Sequence, residues 1–183
     1  IVWIVVVLAE IGLGVVVDSS GAIASDASAL GDSGDAVIEL QDGSRVRAFV
    51  TMRNLDSNVA FLQPATTTVD GKTPTYKPAT IGVENPRLGQ TVIVLSGKSR
   101  VRIADGIVTA IVPQSPSGAS QSSIIETNIA GDAILPGGIL VNTDGEIIGI
   151  STSVSRGVFP SAFMSASSLI RQSISSAEKK ATL

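Results

Sequence analysis

The amino-acid sequence predicts an all-β fold that ends in one α-helix. Short runs rich in β-branched residues recur along the 183-residue chain, and clusters of turn residues separate them. About a dozen such runs are typical of two small antiparallel barrels or of a β-sandwich. Hydrophobic periodicity alone does not decide between these two architectures.

The first half of the chain carries well-separated strand patterns. Arg45 and Arg47 alternate with Val46 and Ala48, which is typical of a strand that turns one face to water. Turn residues at positions 18–21 and 41–44 join neighbouring runs as hairpins. The candidate strands of this half are residues 1–8, 13–17, 22–24, 36–40, 45–50 and 59–62.

The second half repeats this pattern and then becomes helical. The residues Asn-Thr-Asp-Gly at 142–145 give a strong hairpin signal between two runs. The candidate strands are residues 91–95, 101–104, 106–112, 123–127, 138–141, 146–151 and 157–164. The C-terminal helix is predicted from an apolar stripe and from two lysines that suit the negative end of a helix dipole. These residues are Leu169, Ile170, Ile174, Ala177, Lys179 and Lys180.

The composition divides the chain into two similar halves of one domain. Residues 64–78 contain three prolines and little apolar content, which is typical of an exposed connector. We therefore expect one β half over residues 1–63, a second over residues 79–165, and the helix over residues 166–183. A mobile loop is expected over residues 113–122, which are mostly small and polar.

The composition also excludes several kinds of chemistry. The chain contains no cysteine and no histidine, which removes disulfides, thiol nucleophiles, Cys/His zinc sites and an imidazole general base. A net charge of −3, with one Trp, one Tyr and four Phe, argues against binding nucleic acid. The longest apolar run, residues 1–9, is about half of what crosses a bilayer, so we expect no membrane insertion by it. No cofactor and no metal ion are expected.

Three segments, in the same order, resemble the protease domain of the trypsin-like HtrA/Deg family. The first is GLGVVVDSSGAI at residues 12–23, and the second is QDGSRVRA at 41–48 followed by NVAFL at 58–62. The third is ETNIA at 126–130, followed by PGGILVN at 136–142 and DGEIIGI at 144–150. The resemblance implies two antiparallel six-stranded β-barrels, over residues 1–63 and 79–165, with a C-terminal α-helix.

The resemblance also locates the positions of a Ser-His-Asp triad, and none of them carries the expected residue. The His position falls on Ser28, the Asp position on Asn58 and the Ser position on Pro136. A serine hydroxyl is no base at neutral pH, and asparagine has no charge to stabilise an imidazolium. Proline supplies neither a nucleophile nor a backbone N–H for the oxyanion hole, and the neighbouring oxyanion loop carries Ile134 and Leu135. We therefore expect a pseudoprotease, not an enzyme.

The family's substrate groove implies a candidate binding site. Ala130 corresponds to the floor of the specificity pocket. Residues 150–154, including Ser151, Thr152 and Ser153, correspond to the strand that pairs with an extended peptide. The alternative is that Pro136 and Ile134 have reshaped and closed this cleft.

Three functional hypotheses follow. The first is a catalytically inactive homologue that binds a peptide or protein, or that regulates an active relative. The second is a purely structural β-barrel scaffold without a ligand. The third is a hydrolase with an unrecognised site, built from Asp26, Asp56 and Asp132 or from a buried lysine. The family resemblance implies an extracytoplasmic location, whereas the oligomeric state is not readable from the sequence.

Overall fold

The computed structural model describes residues 2–6, 9–82, 86–97, 100–113 and 123–167, with side chains from residue 12 onward. Within these residues the chain forms two closed antiparallel barrels of six strands each. This confirms the predicted all-β class and its double-barrel architecture. The predicted loop over residues 113–122 and the predicted C-terminal helix lie outside the described residues, except for Pro113 and residues 166–167, whose backbone is helical.

The first barrel has the strand order β1-β2-β3-β6-β5-β4 and closes by pairing β1 with β4. Its strands are β1 (Val2–Val6), β2 (Ala9–Val16), β3 (Ile23–Asp26), β4 (Asp35–Glu39), β5 (Arg45–Asn54) and β6 (Val59–Thr68). Strand β6 pairs with β5 as far as Thr68, which lies opposite Val46. The first barrel therefore ends at residue 68, and the predicted boundary at residue 63 is too early.

The second barrel has the strand order β10-β11-β12-β9-β8-β7 and closes by pairing β10 with β7. Its strands are β7 (Thr91–Ser96), β8 (Arg102–Pro113), β9 (Ser123–Thr127), β10 (Ile139–Asn142), β11 (Ile147–Ile150) and β12 (Ala162–Ser165). The two runs predicted on either side of Asp105 form the single strand β8. A short helix, α1 (Ser153–Val158), occupies residues that the sequence pattern assigned partly to strands.

Several strands at the junction of the barrels are buried on both faces. Val16 and Ile23 fill the first barrel, whereas their neighbours Val15 and Ala24 pack against the second barrel. In β9, Ile125 fills the second barrel and Ile124 faces the junction. Because side chains alternate along a strand, two buried faces require continuous apolar runs. One apolar interface therefore fixes the two barrels against each other.

The connector between the barrels hydrogen-bonds to both. Ala79 N–H donates to the carbonyl of Val16 at 2.9 Å, and Ile147 N–H donates to the carbonyl of Thr80 at 2.8 Å. The ring of Tyr76 covers Gly21, where a Cβ would lie 2.5 Å from the ring. The Tyr76 hydroxyl is buried and has no hydrogen-bond partner among the described residues. Burial raises the pKa of Tyr76 above its ordinary value of 10.0.

We expect the phenol of Tyr76 to titrate above pH 10 in the folded protein. Its folded-state pKa is raised, so the stability linked to this group is complete below about pH 10 and is lost as pH rises through the folded pKa. Phenolate absorbance measures this directly, because the chain contains one tyrosine.

The matched control is Tyr76→Phe, which removes this pH dependence. At neutral pH it leaves the free energy of unfolding unchanged or raises it by about 1 kcal/mol, because a buried hydroxyl without a partner disappears. A phenol that titrates at or below pH 10 in the folded state contradicts the buried placement.

Candidate functional site

The structure brings the three predicted triad positions together at the junction of the barrels. The side chains of Ser28 and Asn58 both donate hydrogen bonds to the carboxylate of Asp26. A Cβ built on Gly12 would lie 3.1 Å from the Cβ of Ala29, beside Ser28, and 3.3 Å from the carbonyl oxygen of Pro136. Ser28, Asn58 and Pro136 therefore surround one cleft.

Asp26 is the centre of the polar contacts in this cleft. Its side chain is fully buried at the end of β3. Oδ1 accepts from the backbone N–H of Ser28 at 3.1 Å and from Asn58 Nδ2 at 2.7 Å. Oδ2 accepts from Ser28 Oγ at 2.8 Å and from Arg156 Nη2 at 2.9 Å. Asp26 also caps the 3-10 turn Ala27–Ala29, and its carboxylate is buried and ion-paired.

Asn58 connects the two barrels through its side chain. Its backbone is left-handed, with φ of +53°, a conformation that asparagine tolerates better than most residues. Its carbonyl accepts from Ala27 N–H at 2.8 Å, which sets the turn before β6 against the 3-10 turn. Besides Asp26, Asn58 Nδ2 contacts Ser153 Oγ at 2.6 Å. The family's acid position thus carries a hydrogen-bond donor to a neighbouring carboxylate.

The oxyanion loop has no uncommitted backbone donor from residue 134 to residue 138. Pro136 has no N–H, and every other N–H of this stretch is donated within the chain. The acceptors, in chain order, are Gly131 O at 3.2 Å, Ser96 Oγ at 2.8 Å, Ser151 O at 2.9 Å and Leu135 O at 2.9 Å. Ile134 is 3% exposed and packs into the core of the second barrel. The loop is therefore a packed turn.

The segment predicted to bind an extended peptide is not an extended strand. Strand β11 ends at Ile150, and α1 begins at Ser153. Thr152 and Ser155 cap the helix reciprocally, with Ser155 N–H donating to Thr152 Oγ1 at 3.2 Å and Thr152 N–H to Ser155 Oγ at 3.0 Å. The Thr152 carbonyl accepts from the backbone N–H and Nε of Arg156 at 3.0 and 3.2 Å. The strand prediction over residues 150–154 is therefore wrong beyond Ile150.

The remaining predicted site residues, Ala130, Asp56 and Asp132, are exposed in loops and turns. Ala130 is exposed, and at its neighbour Gly131 a Cβ would lie 2.8 Å from the Cβ of Pro160. Asp56 is exposed in the turn before β6, and Asp132 is exposed in the 3-10 turn Gly131–Ala133, unlike the buried Asp26.

Sequence reasoning missed Arg156 as a member of the site. Its partner Asp26 lies 130 positions away, and no local motif marks either residue as part of a pair. The only local signal for α1 was Thr152 three residues before Ser155, which matches a capping box with serine in place of the usual Glu or Gln.

Metal-binding clusters and membrane-spanning helices are both absent from the described part of the chain. It contains no group of three or more Asp and Glu side chains arranged to hold a metal ion. None of its helices has both the length and the apolar character needed to span a membrane.

A family model described as "Trypsin-like peptidase domain" matches residues 12–150. The chain belongs to the family of trypsin-like peptidase domains. The matched segment contains the positions of Ser28, Asn58 and Pro136. Helix α1 of this trypsin-like domain, which carries Arg156, lies beyond the matched segment.

Two curated relatives of this trypsin-like domain are HtrA-type proteases. It is 29% identical over 175 residues to "Serine protease HTRA2, mitochondrial" of Bos taurus, covering 92% of this chain and 36% of the relative. It is 29% identical over 157 residues to "Probable periplasmic serine protease do/HhoA-like" of Haemophilus influenzae, covering 79% of this chain and 31% of the relative. The chain thus spans about a third of the length of these relatives.

A solved structure shares the fold of this trypsin-like domain. The crystal structure of Deg5 superposes with a TM-score of 0.69 at 19% identity, covering 93% of this chain and 85% of the other. Together with the two relatives, it confirms the HtrA/Deg-type resemblance of the sequence.

Gly137 tests how closely the oxyanion loop packs against β2. Its φ is +75°, and a Cβ would lie 2.1 Å from the carbonyl oxygen of Leu13. Gly43 has almost the same φ, +79°, with nothing within 4 Å, so it serves as the matched control. Gly43→Ala carries only the backbone cost, about 1–2 kcal/mol. We expect Gly137→Ala to lower the free energy of unfolding by about 1–3 kcal/mol more, because the methyl group meets backbone.

Denaturant unfolding of the two variants measures this difference. Equal losses in Gly137→Ala and Gly43→Ala would show that the loop can move away from Leu13 at no cost.

Proposed function

We propose that this trypsin-like domain is catalytically inactive. One observation carries the proposal: the triad positions converge on one cleft but hold Ser28, Asn58 and Pro136, and the 183 residues contain no histidine. The Ser-His-Asp mechanism of peptide hydrolysis needs a base that titrates near neutral pH and a carboxylate that orients it. The cleft offers a serine hydroxyl and an amide in their places.

The oxyanion loop supports the same proposal independently. Removing one oxyanion-hole donor typically costs about 2.7–4 kcal/mol of transition-state stabilisation. Pro136 has no N–H to offer, and the N–H of Ile134 is donated to Gly131. Pro136→Ser would restore the N–H at position 136 together with the nucleophile, but the base would still be missing and the Ile134 N–H would still be donated to Gly131.

Hydrolysis by carboxylates has less support. Asp26 is the acid nearest to the triad positions, and both of its oxygens already accept hydrogen bonds. Arg156 and three further donors therefore occupy the carboxylate that would have to act as the base. Asp56 and Asp132 are exposed in turns, where solvated acids are common.

We further propose a structural role in preference to a peptide-binding one. A peptide that adds to a sheet needs free backbone groups on an exposed strand. In this chain the carbonyl of Thr152 accepts from Arg156, and residues 153–158 are helical. Ser151 and Thr152 are fully buried, so the site expected for an extended peptide is filled by the chain itself.

We also propose that the protein is located outside the cytoplasm. Its support is the name of the Haemophilus influenzae relative, which describes a periplasmic protein. The name of the Bos taurus relative describes a mitochondrial one.

A fluorophosphonate probe tests the loss of serine chemistry. We expect no labelled serine and no casein cleavage, with an active trypsin-like protease as the positive control. Pro136→Ser alone should stay inactive, because no base is present. The triple variant Ser28→His/Asn58→Asp/Pro136→Ser should also stay unlabelled until Ile134→Gly is added, because the Ile134 N–H is donated to Gly131. Labelling of the unmodified chain, or cleavage by Pro136→Ser alone, would refute the proposed loss of catalysis.

An extended-peptide library tests the structural role. We expect no member to protect the amides of residues 151–156 from hydrogen exchange. Saturable binding that protects these amides would favour the peptide-binding hypothesis instead, without reviving catalysis.

A further inference from the structure

The ion pair between Asp26 and Arg156 joins the two barrels across the cleft. Asp26 ends β3 of the first barrel, and Arg156 lies in α1 of the second. The described residues contain one other ion pair, Arg45 with Glu39, which lies within the first barrel and is more exposed. The Asp26–Arg156 contact is therefore the charged link between the halves of the described structure.

Burial makes this link costly to break. The side chain of Asp26 is 0% exposed, and that of Arg156 is 26% exposed. If α1 moved away, the carboxylate of Asp26 would lose its counter-charge, and an uncompensated charge at a buried site is strongly destabilising. The ion pair and the position of α1 are thus coupled.

Besides the ion pair, helix α1 is held by the fully buried Ser155, whose Oγ donates to the carbonyl of Ala162 at 2.9 Å, and by few apolar contacts. It is six residues long, far below the length at which an isolated helix is stable in water. Gly157 lies inside it, and Val158 and the adjoining Phe159 are 54% and 43% exposed. Val154 is its apolar contact with the inter-barrel core, and it is only partly buried.

The polar contacts of α1 with the first barrel end on two residues, Asp26 and Asn58. Arg156 Nε donates to the carbonyl of Thr152 while Nη2 donates to Asp26, so one guanidinium ties the start of the helix to the first barrel. Asn58 bridges Asp26 and Ser153 in the same way.

We propose that the Asp26–Arg156 pair is a latch that holds α1 folded across the cleft. Its loss releases residues 152–158 while the barrels stay folded. This inference goes beyond the loss of catalysis, because it concerns only what holds helix α1 in place.

Hydrogen exchange on the intact chain tests the latch. Arg156→Gln alone would leave Asp26 unpaired and could unfold the protein, so the test variant is Asp26→Asn/Arg156→Gln, which removes both charges. Glu39→Gln/Arg45→Gln is the matched control at the exposed ion pair.

The amides to follow are those of positions 156 and 159, which donate to Thr152 and Ser155 in and beside α1. The reference amides are Val50, bonded to Gly34 in the first barrel, and Val108, bonded to Gln90 in the second. We expect exchange at positions 156 and 159 to accelerate at least about tenfold in the test variant, with both reference amides unchanged. In the control variant all four amides should keep the exchange rates of the unmodified chain.

Two results would overturn the latch. Unchanged exchange in α1 would show that the ion pair does not hold the helix. An equal acceleration at Val50 and Val108 would show that the pair supports the whole fold instead of α1. Neither result depends on peptidase activity, so the latch and the proposed loss of catalysis stand or fall separately.

Discussion

A buried carboxylate is stable only when hydrogen-bond donors and a positive charge contact it. Asp26 is such a carboxylate, and this requirement shapes the cleft. It recruits donors from three separate segments: the 3-10 turn after β3, the turn before β6, and α1. Each of these segments is short and irregular, so none has a strand ladder to hold it. One buried side chain therefore ties these three segments together.

The apolar junction explains why such a polar cluster can persist. Strands β2, β3, β9 and β10 bury residues on both faces, which fixes the two barrels against each other independently of the cleft contacts. Water is excluded beneath Asp26, and hydrogen bonds in a medium of low dielectric constant are stronger than those in water. The same exclusion makes an unpaired charge costly there. The apolar interface and the ion pair thus reinforce each other.

Local sequence patterns were sufficient to predict the strands and hairpins, and the family resemblance supplied the double-barrel architecture. Runs such as Val15-Val16-Val17 and the turn at 142–145 locate strands and hairpins without any knowledge of distant partners. The convergence of Ser28, Asn58 and Pro136 also followed, because ordered motifs place each of them at a known point of a double barrel. The boundary at residue 68 was missed because Pro64 and three threonines resemble a connector, although they continue β6.

The contents of the cleft could not be predicted in this way. Arg156 meets Asp26 across 130 positions, and neither residue belongs to a pattern of strand or helix spacing. Helix α1 is too short for periodicity to reveal it, and its capping residues Thr152 and Ser155 are ordinary in a loop. Contacts between distant irregular segments depend on the finished tertiary structure, and a single sequence carries no local trace of them.

The connector between the barrels has a consequence for the integrity of the molecule. Residues 79–80 form hydrogen bonds with Val16 in the first barrel and with Ile147 in the second, so the segment is bonded to both halves. If the backbone were cleaved among the exposed residues 69–73, the C-terminal fragment would still carry residues 79–80, which bind the N-terminal fragment. Each fragment would also carry one side of the apolar interface between the barrels. We therefore expect the two fragments of a cleaved molecule to stay associated non-covalently and not to separate into two barrels.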